Sequence, residues 1–116
     1  MKGGIESFGM RNQLYELNNI RTSFLAEVIR LGKTNDNKKT ILVRRVTTID
    51  NNKIVAQHLW LKETDNIFSN IELKAGIYIK FDATVQEYCK DNSSEVDYCL
   101  IDISDVSIVK VSDILL

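Results

Sequence analysis

One strand-length stretch, Lys53 to Lys62, gathers most of the residues able to do chemistry. It carries His58, the single histidine of the chain, and Trp60, its single tryptophan, with Lys62 two positions on. A period of two puts Ile54, Ala56, His58, Trp60 and Lys62 on one face and Val55, Gln57, Leu59 and Leu61 on the other. Leu59 and Leu61 are natural core residues, which turns His58 and Trp60 outward together. At about 3.4 Å per residue the two rings stand about 7 Å apart, a platform on which successive nucleobases can stack. Arg44 or Arg45 of the preceding strand brings a guanidinium to the same face, to pair with phosphate or to stack. The competing assignment puts Trp60 in the core and Leu59 outside, under a helix.

Catalysis has little to rest on. General acid–base or nucleophilic chemistry needs converging polar groups, and His58 has no partner nearby in sequence. Gly3, Gly4 and Gly32 belong to no phosphate-cradling motif. Two cysteines and one histidine fall short of a structural zinc set. The expectation is a non-enzyme with no cofactor and no metal.

The elements that must position these residues are mostly strands. Residues 1–18 read as a flexible or helical arm, in which Met10, Leu14 and Leu17 recur at helical spacing. A first strand, Ile20 to Leu31, has Phe24, Ala26 and Val28 on one face and Leu25, Ile29 and Leu31 on the other. It is predicted to be buried on both faces and to bend near Ala26. After the polar loop Gly32 to Lys39, strands Thr40 to Ile49 and Lys53 to Lys62 form a hairpin about the turn Asp50 to Asn52. Thr64, Asp65 and Asn66 offer caps for a short helix through Ile71, which Gly76 ends.

The fourth strand, Ile77 to Tyr88, alternates most cleanly, with Ile77, Ile79, Phe81, Ala83 and Val85 inward. Tyr78, Lys80, Asp82, Thr84 and Gln86 then face out. A fifth strand runs from Val96 through Ile103, and the following residues either extend it or add another strand. Three strands, a helix and two strands is the element order of the five-stranded OB barrel, a Greek-key architecture. The predicted fold is thus all-β with one short helix between strands 3 and 4. The barrel would span residues 19–111, followed by a tail, 112–116, whose Ile114 and Leu115 are expected to pack on it.

Composition sets the outer bounds. A chain of 116 residues holds one core, and 44% hydrophobic with 27% charged residues is ordinary for a globular domain. Its apolar runs are strand-sized and its first ten residues lack the core of a secretion signal, so a cytoplasmic protein with no membrane contact is expected. Cys89 and Cys99 suit that compartment as thiols. A turn centred near Asn92 and Ser93 sets Cys89 opposite Val96, out of disulfide register with Cys99. The net charge of −1 hides two blocks. Arg30, Lys33, Lys38, Lys39, Arg44 and Arg45 face only Asp36 between positions 30 and 45, whereas acidic residues dominate from Asp82 to Asp105. A polyanion would be drawn to the first block, where Lys33, Lys38 and Lys39 could clamp a backbone. Two solvated faces that keep the protein dispersed are the plainer reading. Abundant Ile, Lys and Asn with no proline fit AT-rich codons, as in low-GC bacteria, their phages and plasmids.

His58-Leu59-Trp60, followed by Gly76-Ile77-Tyr78-Ile79-Lys80-Phe81-Asp82-Ala83-Thr84-Val85-Gln86-Glu87-Tyr88-Cys89-Lys90, resembles a pattern in small OB-type proteins of such phages, plasmids and integrated elements. It covers about residues 21 to 103, and Ile77 departs from it where an acidic residue commonly follows the glycine. The resemblance implies an OB fold and binding of single-stranded DNA or RNA. The alternative is a protein-binding module, such as a phage-encoded inhibitor of a host nucleic-acid enzyme or a replication accessory subunit. In that role the same aromatics would anchor a host or replication protein.

Overall fold

Alternating β-branched and aromatic residues build five strands in the computed structural model, which describes residues 12–62, 68, 71–89 and 96–110. The strands are β1 (Arg21–Lys33), β2 (Lys39–Thr48), β3 (Lys53–Lys62), β4 (Tyr78–Cys89) and β5 (Val96–Val109). All neighbours are antiparallel, in the order β3-β2-β1-β4-β5. The central strand β1 pairs with β4 through Arg21 to Glu27 and with β2 through Phe24 to Lys33. The sheet is not closed: among the described residues no ladder joins β3 to β5.

The core lies on one side of this curved sheet. Phe24, Ala26 and Val28 of β1 meet Val43, Val46, Leu59, Leu61, Ile79, Phe81 and Val85, all buried. The Phe24 and Phe81 rings stack with centroids 5.7 Å apart. On the other side β1 differs from expectation. Leu25 and Ile29 are only half-buried, because among the described residues no second layer covers the outer face, whereas Leu31 pairs with buried Ile41 on the core side and is 49% exposed.

Bulges bend the sheet. Arg45 and Val46 stand against Ala26 alone, so the extra residue near the expected bend of β1 belongs to its partner β2. Ile29 is the extra residue of β1 itself, between the pairs Val28↔Val43 and Arg30↔Leu42. On β3 the extra residue is Val55, and this changes the phase: Val55 and Ala56 are both buried, although strict alternation puts Ala56 outside. Two further irregularities in β5 coincide with positive φ at Asp102 (53°) and Asp105 (55°). Arg21 reaches across β4 to steady them, donating to the Asp102 carbonyl at 2.8 Å and to the Ser104 hydroxyl.

The connections follow their turn residues. Asn37 and Asn52 take positive φ in the β1–β2 and β2–β3 hairpins. Gly76, at φ 96°, turns the chain so that its N–H donates to the Val28 carbonyl at 2.8 Å, just before β4 begins. The helix expected across Thr64 to Ile71 lies mostly outside the described residues. Of that stretch Phe68 is buried in the core, and the Ile71 N–H donates to its carbonyl. The lead segment forms a 3₁₀ turn, Asn12–Leu17, that buries Leu14 completely. Met10, the loop Lys90 to Glu95 and the tail 112–116 lie outside the described residues. β5 runs on to Val109, so the residues after Ile103 extend that strand. The register sets Cys89 opposite Val96 and Cys99 opposite Gln86, as the turn position required.

Candidate nucleic-acid interface

Register alone assembles the outer face of β1, β2 and β3. Cross-strand pairing forms three rows: Glu27–Arg44–His58, Arg30–Leu42–Trp60 and Gly32–Thr40–Lys62. Buried rows separate them, including Val28–Val43–Leu59. His58, Trp60 and Lys62 are therefore exposed while Leu59 and Leu61 are buried, and the assignment with Trp60 in the core does not hold. The indole is 47% exposed, too much for a core residue and too little for a free one.

What holds the indole comes from β1. Arg30 sets its guanidinium carbon over the ring, 5.5 Å from the centroid, a cation–π arrangement. A Cβ at Gly32 would stand 3.4 Å and 3.6 Å from the Cζ3 and Cη2 atoms of the ring, and 3.0 Å from the Thr40 hydroxyl. The ring therefore stands at ordinary contact distance from that position, and the tight approach is that of Thr40.

The arginines of β2 divide. The bulge turns both Arg44 and Arg45 outward between buried Val43 and Val46. Arg44 donates through Nε to Glu27 at 2.8 Å, and this hydrogen bond, with the carboxylate charge, raises its pKa. Its Nε–H is therefore engaged within the sheet. Arg45 stands at φ 53°, uncommon for a long side chain, and its carbonyl accepts a bond from the Thr47 hydroxyl at 2.8 Å.

Lys33 pairs with Lys39 at the end of the β1–β2 hairpin, and Lys38 lies in the loop between them; all three are exposed. Thr34 and Lys38 close that loop through Thr34 N–H to Lys38 O at 2.9 Å. The Thr34 hydroxyl bonds to Asp36, holding its carboxyl below its ordinary pKa. The loop's one carboxylate is thus used locally, and its lysines point to solvent.

His58 and Trp60 also border a groove of about 370 Å³ with Leu42, Leu59, Tyr88 and Cys99. It lies where the free edge of β3 faces the β4–β5 hairpin, at the open seam of the sheet. Tyr88, 38% exposed, adds a third ring, its hydroxyl donating to Asp97 at 3.3 Å. The acidic block has a structural use here: Asp97 is buried and accepts from the Tyr98 N–H, Asp82 accepts from Ser23, and Asp102 and Asp105 sit at irregular points of β5.

Arg30, Gly32 and Tyr88 were absent from the residues selected by sequence. Tyr88 continues the outward series that begins at Tyr78, so period two already signalled it. Gly32 lay beyond the predicted end of the first strand, and Arg30 joins the row of Trp60 only through the register that the extra residue Ile29 sets between β1 and β2. Among the described residues no group of three or more His, Cys, Asp or Glu could hold a metal ion, and no helix is long and apolar enough to cross a membrane. Comparison with protein families, with characterised proteins and with solved structures finds no match to this chain.

Proposed function

We propose that this chain is a non-catalytic, OB-type protein that binds single-stranded DNA or RNA along the outer face of β1, β2 and β3. The carrying observation is the half-exposed Trp60 indole, which shares its groove with His58 and Tyr88 and has the Arg30 guanidinium over its ring. Trp60, His58 and Tyr88 bring three rings to one groove, a cluster rather than a single exposed side chain. Stacked bases are a partner for such a cluster, because every base has a π-face. Arg45, Lys62, Lys33, Lys38 and Lys39 would meet phosphates, while Arg44, tied to Glu27, contributes less.

The strand order supports the OB reading. A long first strand shared by β2 and β4, with β3 and β5 at the ends, is that barrel opened along one seam. The ligand would cross this seam, where the groove lies. Engagement of Asp82 and Asp97 within the sheet makes mimicry of nucleic acid toward a host protein the weaker alternative.

Titration of the protein with single-stranded DNA and RNA oligonucleotides, following the emission of Trp60, tests the reading. Quenching is expected, with affinity falling as salt rises, by about 0.7 in the log–log slope for each phosphate contact. Emission that no oligonucleotide changes, or binding indifferent to salt, would return the aromatic face to a protein partner.

A further inference from the structure

The Trp60 indole is already occupied in the free protein. Arg30 stands over it, and Arg30, Leu42 and Trp60 form one row, so the ring reaches across β2 to meet β1. Gly32 lies beside the ring: a Cβ there would press on the Thr40 hydroxyl and meet the indole at ordinary contact distance. The two outward arginines nearest the rings are held differently. Arg44 is fixed by the Glu27 carboxylate, whereas among the described residues no carboxylate ion-pairs with Arg30. Its guanidinium rests on a π-face, a contact that an exposed site makes weakly.

We propose that Arg30 is a retractable cover on the stacking face of Trp60. An incoming base takes the place of the guanidinium on the indole, and the released guanidinium pairs with a phosphate of the same strand. This rests on the nucleic-acid reading above and adds an exchange step to it. The exchange selects for ligands that carry a planar base and an anionic backbone together. A phosphodiester single strand replaces both halves of the lost contact, one half by stacking and the other by charge-assisted hydrogen bonds. A base on an uncharged backbone displaces the guanidinium and offers it nothing.

The test compares wild type, Arg30→Ala and Arg30→Lys with two oligonucleotides of one sequence, a phosphodiester and a methylphosphonate with an uncharged backbone. Removal of the cover in Arg30→Ala should tighten methylphosphonate binding by about twofold to fivefold, the equilibrium weight of an exposed cation–π contact. The same variant should bind the phosphodiester more weakly, with a salt slope smaller by about 0.7. Arg30→Lys keeps the charge and should keep the slope. Equal weakening toward both ligands would make Arg30 a prop for the ring, and no change toward either would make it a bystander; each overturns the cover. Wild type that binds neither oligonucleotide overturns the nucleic-acid reading and the cover with it. Wild type that binds, with Arg30→Ala weakened equally toward both, overturns the cover alone.

Discussion

Trp60 owes its posture to neighbours two strands away. A side chain on β3 lies against a glycine of β1 because β2 sits between them in register and offers Leu42 and Thr40 as the surface crossed. Its energetic signature should be split. Trp60→Ala is expected to weaken single-strand binding by about 1–3 kcal/mol, the usual worth of a stacked base. Its loss of stability in urea should stay below the ~3–5 kcal/mol typical of a buried tryptophan, since half the ring is already in water. A large loss of stability with unchanged binding would assign the ring to packing.

At the level of elements, irregular strand positions place the charged groups. Arg45 sits at φ 53°, where an L residue is disfavoured, and the bulge there turns two consecutive arginines outward. Arg45→Gly should unfold at a urea concentration no lower than wild type, because relief at the left-handed position offsets the added freedom of the unfolded chain. Arg45→Val should be less stable by about 1–2 kcal/mol, since a β-branched side chain fits that conformation worst. The β1–β2 loop makes a different statement, about pH. Its Asp36 is held below the ordinary carboxylate value, first by the Thr34 hydroxyl, then by a backbone N–H and by the charges of Lys38 and Lys62. A depressed carboxylate stabilises the loop fully above its unfolded pKa, and that contribution is lost as pH falls through the folded value. An NMR titration should show Asp36 titrating below the ordinary carboxylate value, and Thr34→Val should return it toward that value.

For the whole molecule, the core joins elements that lie far apart in sequence. Leu14 of the lead segment is buried against residues of the sheet, and the Asn18↔Val85 bridge ties that segment to β4. Leu14→Ala should cost about 2–5 kcal/mol, read as a lower melting temperature, which a loosely attached arm would not produce. Phe81→Asp should prevent cooperative folding, because the new carboxylate would replace a ring stacked on Phe24 with no partner for its charge. A soluble, cooperatively unfolding Phe81→Asp protein would mean that the inward face of β4 is misassigned.

Period two was enough to read β3 from Lys53 to Lys62, the inward residues of β4 from Ile79 to Val85, and the outward pair His58 and Trp60. Those assignments are local: they depend on which side chains prefer water, and every residue carries that information itself. Turn chemistry at Asp50 to Asn52 set the β2–β3 hairpin, and the position of the β4–β5 turn set Cys89 opposite Val96, again through residues adjacent in the chain. Tertiary structure decided the rest. A bulge shifts phase without changing composition, so the burial of Ala56 and the joint exposure of Arg44 and Arg45 could not be counted off along a strand. The contacts of Trp60 with Arg30 and Gly32 depend on how β1 aligns with β3 through β2, a non-local register that alternation leaves open. Sequence thus determined which residues face water; only the packing of one strand beside another decided which of them meet.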